Sequence, residues 1–234
     1  RGLGGIENMS LIPGTVGASP IQNIGAYGQE LKDSFESAKV YLTEEKKTVI
    51  LKRDECNFDY RDSIFKRELK GKSIILSVSL KLKKNPKLNY SYKGIRELIF
   101  VKGDEKPTLR DMREAVIKLR TQKLPDPKEI GNAGSFFKNP VISEDTFQSL
   151  LTDFPHLTSF KVPEGIKISA AWLISHCGWK GYRQGDAGVW PQQPLVLVNY
   201  GKASGEEILQ LANKIIQSVE DRFHIHLESE VNII

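Results

Sequence analysis

The sequence predicts an α+β fold, and two observations carry this prediction. Residues 34–82 contain three runs with strand-like alternation, whereas residues 107–223 contain four runs with helix caps or apolar residues at helical spacing. Strands therefore come first, and helices mix with strands later in the chain. That order is typical of α+β architecture. The boundary between the two parts is expected near the segment Leu124–Pro127, which contains two prolines.

The first half is predicted to contain a long loop followed by three strands. Residues 3–30 are rich in Gly, Pro and Asn and lack periodicity, which indicates a ligand-facing loop or a set of turns. In the last of the three strands, one face is expected to be buried, because Ile75, Ser77 and Ser79 alternate with the apolar residues Ile74, Leu76, Val78 and Leu80. The three strands are predicted over 34–43, 46–53 and 73–82.

The second half is predicted to contain four helices and two strands. Pro107–Gln122 places Met112, Val116 and Leu119 at helical spacing after an N-cap at Thr108. The other elements, in chain order, are a helix capped by Ser143 and ending at about Asp153, a helix over 168–177, a strand over 194–200, a helix over 204–223 and a last strand over 224–234.

The composition predicts a cytosolic globular protein without a metal centre. The chain has 234 residues, of which 39% are hydrophobic, enough for one large or two modest cores. No apolar run approaches the roughly 20 residues that span a bilayer, and the first residues lack the features of a signal peptide. Cys56 and Cys177 lie far apart without the spacing of zinc ligands. They are expected to be reduced, structural cysteines.

The charge pattern favours small anionic ligands over nucleic acid. A net charge of +5 arises from 34 basic and 29 acidic residues that are interspersed along the chain. The densest basic run, Lys81–Lys87, follows an apolar stretch, and we interpret it as a solvated strand end rather than a binding face. The remaining surplus of positive charge is compatible with nucleotides.

The segment Gly131–Pro140 contains the most direct sign of chemistry. Ser135 follows a run of small residues that permits positive φ and the close approach of a ligand to the backbone. Such a run is a poor helix and a poor strand, so a tight loop with unpaired N–H groups is expected. A hydroxyl in this setting is either catalytic or part of an ordinary glycine-rich turn.

Two more segments carry candidate binding groups. Ile12–Gly28 contains four glycines and two prolines, which would let its backbone cradle a pyrophosphate or a flavin ring. It matches neither the Walker A nor the Rossmann pattern. Tyr60–Lys66 places Arg61 between an aromatic ring and a carboxylate. Arg61 is therefore either half of a structural ion pair or a bidentate ligand for a substrate carboxylate.

Five motifs in order give the chain a specific resemblance. They are GIENMSLIPGTVGASPIQNIGAYGQEL, YRDSIFK, LRTQKLPDPK, GNAGSFFKNP and LESEV. In this order they resemble the UDP-N-acetylenolpyruvoylglucosamine reductase family, in the form with a tyrosine-bearing segment, here LNYSYKGI. The resemblance implies that residues 1–124 are the C-terminal part of a FAD-binding domain of the vanillyl-alcohol-oxidase (PCMH) type. Residues 125–234 would be a smaller α+β substrate-binding domain whose C-terminal strand returns to the active site.

The resemblance also implies an activity. NADPH would reduce FAD, and hydride would then reach the terminal carbon of UDP-N-acetylglucosamine enolpyruvate to give UDP-N-acetylmuramate, a peptidoglycan precursor. Ser135 would donate the proton, while Arg61 and Glu230 would stabilise the enolate. The expected FAD-binding residues are Ile12, Pro13, Gly14, Gly17, Ala18, Ser19, Gln22, Asn23 and Gly25. Because the family has a further N-terminal flavin-binding region, the chain is expected to be a fragment that binds FAD weakly and is inactive alone.

Substrate contacts and partners follow from the same resemblance. Either Tyr90 or Tyr92 can fill the family's tyrosine position, and the following residues favour Tyr92. The expected partners are the sugar nucleotide and NADPH, with no nucleic acid or membrane, and a monomer is expected. Two alternatives are a noncatalytic UDP-sugar-binding module and another flavoenzyme of this fold. The other expected substrate ligands are Tyr27, Arg120, Lys123, Asn139, Lys180 and Gln193.

Overall fold

The computed structural model describes residues 2–100 and 106–233 and divides into two compact units, 1–120 and 121–234. Both units combine helices with antiparallel sheets, so the α+β class is confirmed. The first unit contains strands β1 (Gly25–Ala26), β2 (Gln29–Glu30), β3 (Phe35–Leu42), β4 (Lys47–Lys52) and β5 (Ser73–Leu80), helix α1 (Lys93–Ile99) and most of helix α2 (Leu109–Lys123).

The second unit begins inside α2 and contains the remaining elements. The elements are β6 (Gly131–Ser135), β7 (Val141–Ile142), α3 (Glu144–Asp153), β8 (Ser159–Val162), β9 (Gly165–Ile168), α4 (Ala170–His176), β10 (Arg183–Gln184), β11 (Ala187–Val189), β12 (Val196–Asn199) and α5 (Gly205–Phe223). The strands form two sheets with the orders β10-β11-β12-β6 and β7-β9-β8, and every pairing is antiparallel.

The three predicted strands of the first half are confirmed and form the sheet β4-β3-β5. The central strand buries Phe35, Ala38 and Val40 against the core of this unit. The predicted face of β5 is confirmed for Val78 and Leu80, which pack against this core, but not for Ile74 and Leu76, which are 54% and 53% exposed. Ile75 packs against the core instead. The pairing shifts by one residue opposite Lys39 and Val40, and such a bulge reverses which face the following side chains occupy.

The helices have the caps that the sequence predicts. At the start of α2, the Asp111 N–H donates to Thr108 Oγ1 at 3.2 Å, and the Thr108 N–H donates to the Asp111 carboxylate at 2.9 Å. Ser143 Oγ accepts from the Thr146 N–H and caps α3. In α5, Ser204 and Glu207 form a capping box, and the buried residues Leu211, Ile215, Val219 and Phe223 recur at helical spacing on the core side.

Two expectations about the second unit are wrong. Gly131–Ser135 is not a loop but strand β6, because the edge of β12 offers it backbone partners. Residues 224–234 form no regular strand within the described part of the chain. Only a single bridge pairs Ser229 with Phe137. The segment nevertheless shows the alternation of an extended chain, because Ile225 and Leu227 are buried and His226 between them is exposed. Ile225 and Leu227 belong to the same core cluster as the buried residues of α5.

None of the helices in the described residues is long and apolar enough to cross a membrane. Nor do the described residues contain a cluster of three or more His, Cys, Asp or Glu side chains arranged for a metal ion.

Cys56 is expected to be unreactive while the protein is folded. Its side chain is fully buried, and burial raises the pKa of its thiol to about 12. Since the thiolate is the nucleophile, iodoacetamide at pH 8 should label the partly exposed Cys177 and leave Cys56 intact until urea unfolds the chain. Mass spectrometry of the labelled peptides measures this. Rapid labelling of Cys56 in native protein would contradict the burial.

The same pKa shift predicts the sign of a pH effect on stability. Above the ordinary thiol pKa of 9.0, the unfolded chain loses the Cys56 proton while the folded chain keeps it. The contribution of this group to the free energy of unfolding should therefore be complete below pH 9 and decline towards pH 12. Urea titrations of wild type and Cys56→Ala isolate this contribution, because only the wild type should show it.

Candidate active site

Ser135 lies at the end of β6, directly after a β-bulge. Ser135 pairs with Val196 and Asn132 pairs with Val198, so two residues of β6 oppose one residue of β12. One of the two is Gly134, whose φ of +76° suits glycine. The Gly134 N–H donates to Asn132 Oδ1 at 3.0 Å and stabilises the bend. A bulge re-aims the residue that follows it, and here that residue is Ser135.

The Ser135 hydroxyl is half-buried and available for a ligand. It makes no hydrogen bond with any residue that the structure describes. Phe136 and Phe137 follow it into the core and fix the backbone on its C-terminal side. The Phe136 N–H already donates to the Leu195 carbonyl at 2.7 Å, so the expectation of unpaired N–H groups fails at this position. At this position the hydroxyl, and not the backbone N–H of Phe136, is the group without a partner among the described residues.

The second unit brings the Glu230 segment beside Ser135. The Glu230 N–H donates to the carbonyl of Phe136, the residue after Ser135, at 2.8 Å. Glu230 itself is half-buried. Glu228 is different, because its side chain is 67% exposed and pairs with Lys138 at 2.9 Å. Of the two glutamates, Glu230 is therefore the one in a partly desolvated setting next to the serine.

Arg61 belongs to the first unit and occupies a strained turn. Its φ is +55°, a left-handed conformation that is unfavourable for a residue with a side chain. Backbone hydrogen bonds in both directions between Asp59 and Asp62 close the turn. Arg61 Nη2 donates to the Gly25 carbonyl at 2.7 Å, and the Asp62 carboxylate pairs with Arg67. The turn and the Gly25 carbonyl thus hold the guanidinium in one place.

The predicted flavin loop has an exposed, unengaged backbone. Within the described residues, the N–H groups of Gly14, Thr15, Val16 and Gly17 make no hydrogen bond. Gly14 has a φ of +108° and open space where a side chain would lie. Ile12 and Pro13 lead into this stretch, and the Ala18 N–H donates back to Thr15. Such a run of unpaired N–H groups can donate hydrogen bonds to phosphate or carbonyl oxygens.

The C-terminal end of this loop is fastened to the protein. Asn23 is fully buried, donates from Nδ2 to Glu30 and the Asp59 carbonyl, and accepts from the Lys32 N–H. The Ser19 hydroxyl donates to the Val16 carbonyl at 2.6 Å, and Gln22 is half-buried. The side chains of Ser19 and Asn23 therefore shape the loop, which leaves its backbone to meet a ligand.

Gly25 connects the loop to Arg61. A Cβ atom at Gly25 would lie 2.7 Å from the Gln29 carbonyl oxygen and 3.1 Å from Arg61 Nη1. The Gln29 backbone therefore excludes a side chain at this position, which is why glycine is required, and the Arg61 guanidinium lies against the space that this glycine leaves.

Tyr27, Tyr92 and Arg120 form a cluster in the first unit. The rings of Tyr27 and Tyr92 meet edge to face with centroids 5.0 Å apart. Burial raises the pKa of the Tyr27 phenol, against the opposing effect of the nearby Arg120 guanidinium. Burial also lowers the pKa of Arg120, whose Nε is buried and has no hydrogen-bond partner among the described residues. Tyr90 packs instead against Phe100 at 5.4 Å.

The remaining predicted ligands lie in the second unit. The Lys123 carbonyl accepts from Trp190 Nε1 at 3.1 Å, which fixes the C-terminal end of α2. Gln193 is half-buried in the turn before β12, and Lys180 is exposed after α4. Asn139 Oδ1 accepts from the Ala170 N–H at 2.9 Å, which determines the orientation of its amide. The Asn139 amide nitrogen makes no hydrogen bond within the described residues.

Sequence patterns missed two supporting residues. Asn8 is buried beneath the Tyr27 turn, and Trp190 anchors Lys123. A lone asparagine in a 3-10 turn and a lone tryptophan before a turn carry no periodic signal, so only their contacts reveal them.

Comparisons with known proteins agree with this arrangement of motifs. Residues 126–234 match the family model described as UDP-N-acetylenolpyruvoylglucosamine reductase, C-terminal domain. The UDP-N-acetylenolpyruvoylglucosamine reductase of Flavobacterium johnsoniae is 50% identical over 233 residues, which cover 99% of this chain and 69% of the relative. The reductase of Chromobacterium violaceum is 46% identical over 232 residues, covering 98% of this chain and 68% of the relative.

A solved structure agrees at the level of fold. The crystal structure of UDP-N-acetylenolpyruvylglucosamine reductase from Thermus caldophilus aligns with a TM-score of 0.65 and 26% identity, over 99% of this chain and 64% of that one. The chain thus spans about two thirds of the proteins it resembles. On the identity to the curated reductases over nearly its whole length, the chain belongs to the UDP-N-acetylenolpyruvoylglucosamine reductase family.

Proposed function

We propose that the protein containing this chain reduces UDP-N-acetylglucosamine enolpyruvate to UDP-N-acetylmuramate with FAD and NADPH. The observation that carries the proposal is the unengaged Ser135 hydroxyl beside the Glu230 segment, in a chain 50% identical to a reductase of this name. The proposal places the reaction in the cytoplasm, with a monomeric protein and two small-molecule partners.

The residues of the flavin loop fit the proposed cofactor. The four unengaged N–H groups of residues 14–17 can donate to the oxygens of the pyrophosphate or the flavin ring. The open space at Gly14 lets the backbone approach a planar ring. Ser19 and Asn23 keep the loop in shape through their internal hydrogen bonds. When bound, FAD would take hydride from NADPH and supply it to the terminal carbon of the enolpyruvyl group.

Arg61 would stabilise the charge that develops during the reaction. Addition of hydride to the terminal carbon leaves a carbanion delocalised into the substrate carboxylate as an enolate. A guanidinium can bind both oxygens of that group through two parallel N–H donors. The bond to the Gly25 carbonyl holds the guanidinium in advance, so little reorganisation accompanies the reaction.

Ser135 would donate the proton that completes the reduction. A serine hydroxyl is a weak acid, but an enolate is a strong base, and a hydroxyl held in contact gains from its fixed orientation. Protonation of the carbon next to the carboxylate completes the saturated lactyl ether, and solvent then restores the proton to the half-buried serine. Glu230, whose backbone N–H bonds the residue after Ser135, would stabilise the enolate together with Arg61 only in its protonated form, by donating a hydrogen bond, because an ionised carboxylate would repel the enolate.

The binding groups for the sugar nucleotide follow from the charges. Arg120, Lys123 and Lys180 would bind its diphosphate. Tyr27 and Tyr92 would contact the substrate through their phenols, and the contact between their rings favours Tyr92 over Tyr90. Asn139 and Gln193 would add neutral hydrogen bonds.

Asn139 offers a sharp test of its assigned role. Asn139→Asp keeps an oxygen acceptor for the Ala170 N–H but replaces the amide donor with an anionic oxygen. We expect KM for the sugar nucleotide to rise roughly tenfold or more with an unchanged melting temperature, because an anion would face an anionic substrate. Steady-state kinetics and thermal unfolding measure the two effects. An unchanged KM would remove Asn139 from the binding site, and Asn139→Ala, which loses the bond to Ala170 as well, is the matched comparison.

An anaerobic flavin spectrum tests the proposed function. The complete protein, as its gene encodes it, should be yellow, should bleach with NADPH and should regain its colour only when the enolpyruvyl sugar nucleotide is added. A flavin that recovers with other acceptors but not with this substrate would indicate another flavoenzyme of the same fold. Binding of UDP-sugars without any flavin would indicate a noncatalytic module.

A further inference from the structure

Asn8 links two loops that are far apart in the sequence. Its side chain is fully buried in a 3-10 turn, Glu7–Met9. Asn8 Nδ2 donates to the carbonyl of Tyr27 at 2.8 Å and to the carbonyl of Asn89 at 2.9 Å. The Asn8 N–H donates to Gln29 Oε1 at 3.1 Å. One residue therefore ties the Tyr27 turn to the segment that leads to Tyr92.

Asn89 forms a second link between the same loops. Its Nδ2 donates to the Gly28 carbonyl at 3.0 Å, and its Oδ1 accepts from both the N–H and the hydroxyl of Ser91. A Cβ atom at Gly28 would lie 2.9 Å from Asn89 Nδ2, so the two loops are in close contact. The two asparagines together set the position of one loop against the other.

This linkage matters because the Tyr27 backbone is strained. Tyr27 has a φ of +51°, which is unfavourable for a residue with a side chain and persists only where surrounding contacts impose it. The hydrogen bond from Asn8 to the Tyr27 carbonyl is such a contact. Asn8 also bonds the Asn89 carbonyl and so positions the segment that leads to Tyr92. The two phenol rings meet edge to face.

Asn8 also carries an energetic penalty that a purely structural residue would avoid. Its Oδ1 is buried and accepts no hydrogen bond from the described residues. An unpaired buried acceptor destabilises the folded state, whereas an apolar side chain of similar size would not. The specific contribution of Asn8 is therefore the pair of hydrogen bonds to the two tyrosine-bearing loops.

We propose that Asn8 is a positioning residue for substrate binding, which acts by holding Tyr27 and Tyr92 in the geometry that meets the sugar nucleotide. This inference rests on the proposed function, because it takes the two phenols as substrate contacts. Asn8 does not itself touch the substrate.

A double-mutant cycle tests the inference in the complete protein. Asn8→Ala should raise KM for the enolpyruvyl sugar nucleotide roughly tenfold or more while the rate of flavin reduction by NADPH stays unchanged. In a Tyr27→Phe/Tyr92→Phe background, the same substitution should have a much smaller effect on KM, because Asn8 acts through the two phenols. If Asn8→Ala raises KM by the same factor with and without the tyrosine substitutions, the proposal is overturned. If Asn8→Ala does not fold, Asn89→Ala removes the partly exposed second link and is expected to give the same non-additivity.

Ser34→Ala is the matched control for lost stability. The Ser34 hydroxyl is buried and donates to the Gly5 carbonyl at 2.5 Å, so it anchors the same N-terminal segment without contacting the tyrosine loops. It should lower the melting temperature and leave KM unchanged. If Ser34→Ala raises KM as much as Asn8→Ala does, the effect of Asn8 on KM reflects general stability and not the position of the tyrosine loops.

Hydrogen exchange separates this inference from the proposed function. Asn8→Ala should accelerate exchange in peptides covering residues 24–31 and 86–93, and Ser34→Ala should not, whichever substrate the protein uses. Unchanged exchange in both peptides would overturn the positioning role. Failure of the wild-type flavin to reoxidise with the sugar nucleotide would overturn the proposed function while leaving the exchange result intact.

Discussion

Replacing Ser135 by alanine is expected to slow reoxidation of the reduced flavin by the enolpyruvyl sugar nucleotide by on the order of 100-fold or more. Reduction of the flavin by NADPH should keep its wild-type rate, because no proton from Ser135 is needed in that step. The bulge at Gly134 shapes the backbone without the serine hydroxyl, so the variant should fold normally. Stopped-flow absorbance of each half-reaction measures the two rates separately.

Ser135→Cys is the matched variant for this prediction. A thiol is close in size to the hydroxyl and is a stronger acid, so it should retain more of the second half-reaction than alanine does. Equal losses in both half-reactions for Ser135→Ala would instead assign the residue a structural role. Equal rates for the alanine and cysteine variants would show that proton donation does not involve this position.

Replacing Arg61 by methionine is expected to lower kcat by on the order of 100-fold to 1,000-fold, as loss of a preorganised charge-stabilising group does. Arg61→Lys should recover only part of this loss, because an ammonium cannot bind two carboxylate oxygens side by side. The strained backbone of the Asp59–Asp62 turn remains in both variants, so thermal unfolding should separate stability from catalysis.

Arg53→Met is the control for loss of charge alone. Removal of Arg53 changes the net charge by the same amount as Arg61→Met. Arg53 is exposed, and among the described residues its ion pair is a weak contact with Asp54 at 3.7 Å. It should leave kcat unchanged, since exposed ion pairs contribute little. A comparable loss of kcat in Arg53→Met would show that the general positive field, and not the Arg61 guanidinium, supports the reaction.

The regular elements could be predicted because their signals are local. The caps at Thr108 and Ser143 and the apolar spacing of α5 appear in the structure as the sequence predicts. The errors arise where distant partners decide the conformation. Gly131–Ser135 has poor strand propensity and becomes a strand because β12 pairs with it, and a bulge in β5 exposes Ile74 and Leu76. Residues 224–234 alternate like a strand but keep only the bridge at Ser229.

The residues of the candidate site could be predicted from the order of the motifs, whereas the contacts between these residues could not. Resemblance to the family indicated Ser135 and Glu230, but only the bond from the Glu230 N–H to the Phe136 carbonyl explains how they are brought together. The left-handed backbone of Arg61 and the requirement for glycine at position 25 have no local sequence signal. Asn8 was missed for the same reason, since its partners lie in two other loops.

The most direct test of the central claim is the position of solvent deuterium in the product. In a single turnover in D₂O with unlabelled NADPH, we expect all of the product to carry deuterium on the carbon that bears the carboxylate, because Ser135 would deliver a solvent-derived proton to that carbon. The terminal carbon would receive the hydrogen that the reduced flavin supplies, and because this N–H hydrogen exchanges with solvent, that carbon can carry either isotope. NMR of the isolated sugar nucleotide distinguishes the two carbons. Protium from NADPH on the carbon that bears the carboxylate would contradict the proposed mechanism, because hydride would then have added to that carbon, and not to the terminal carbon as the roles of Arg61 and Ser135 require.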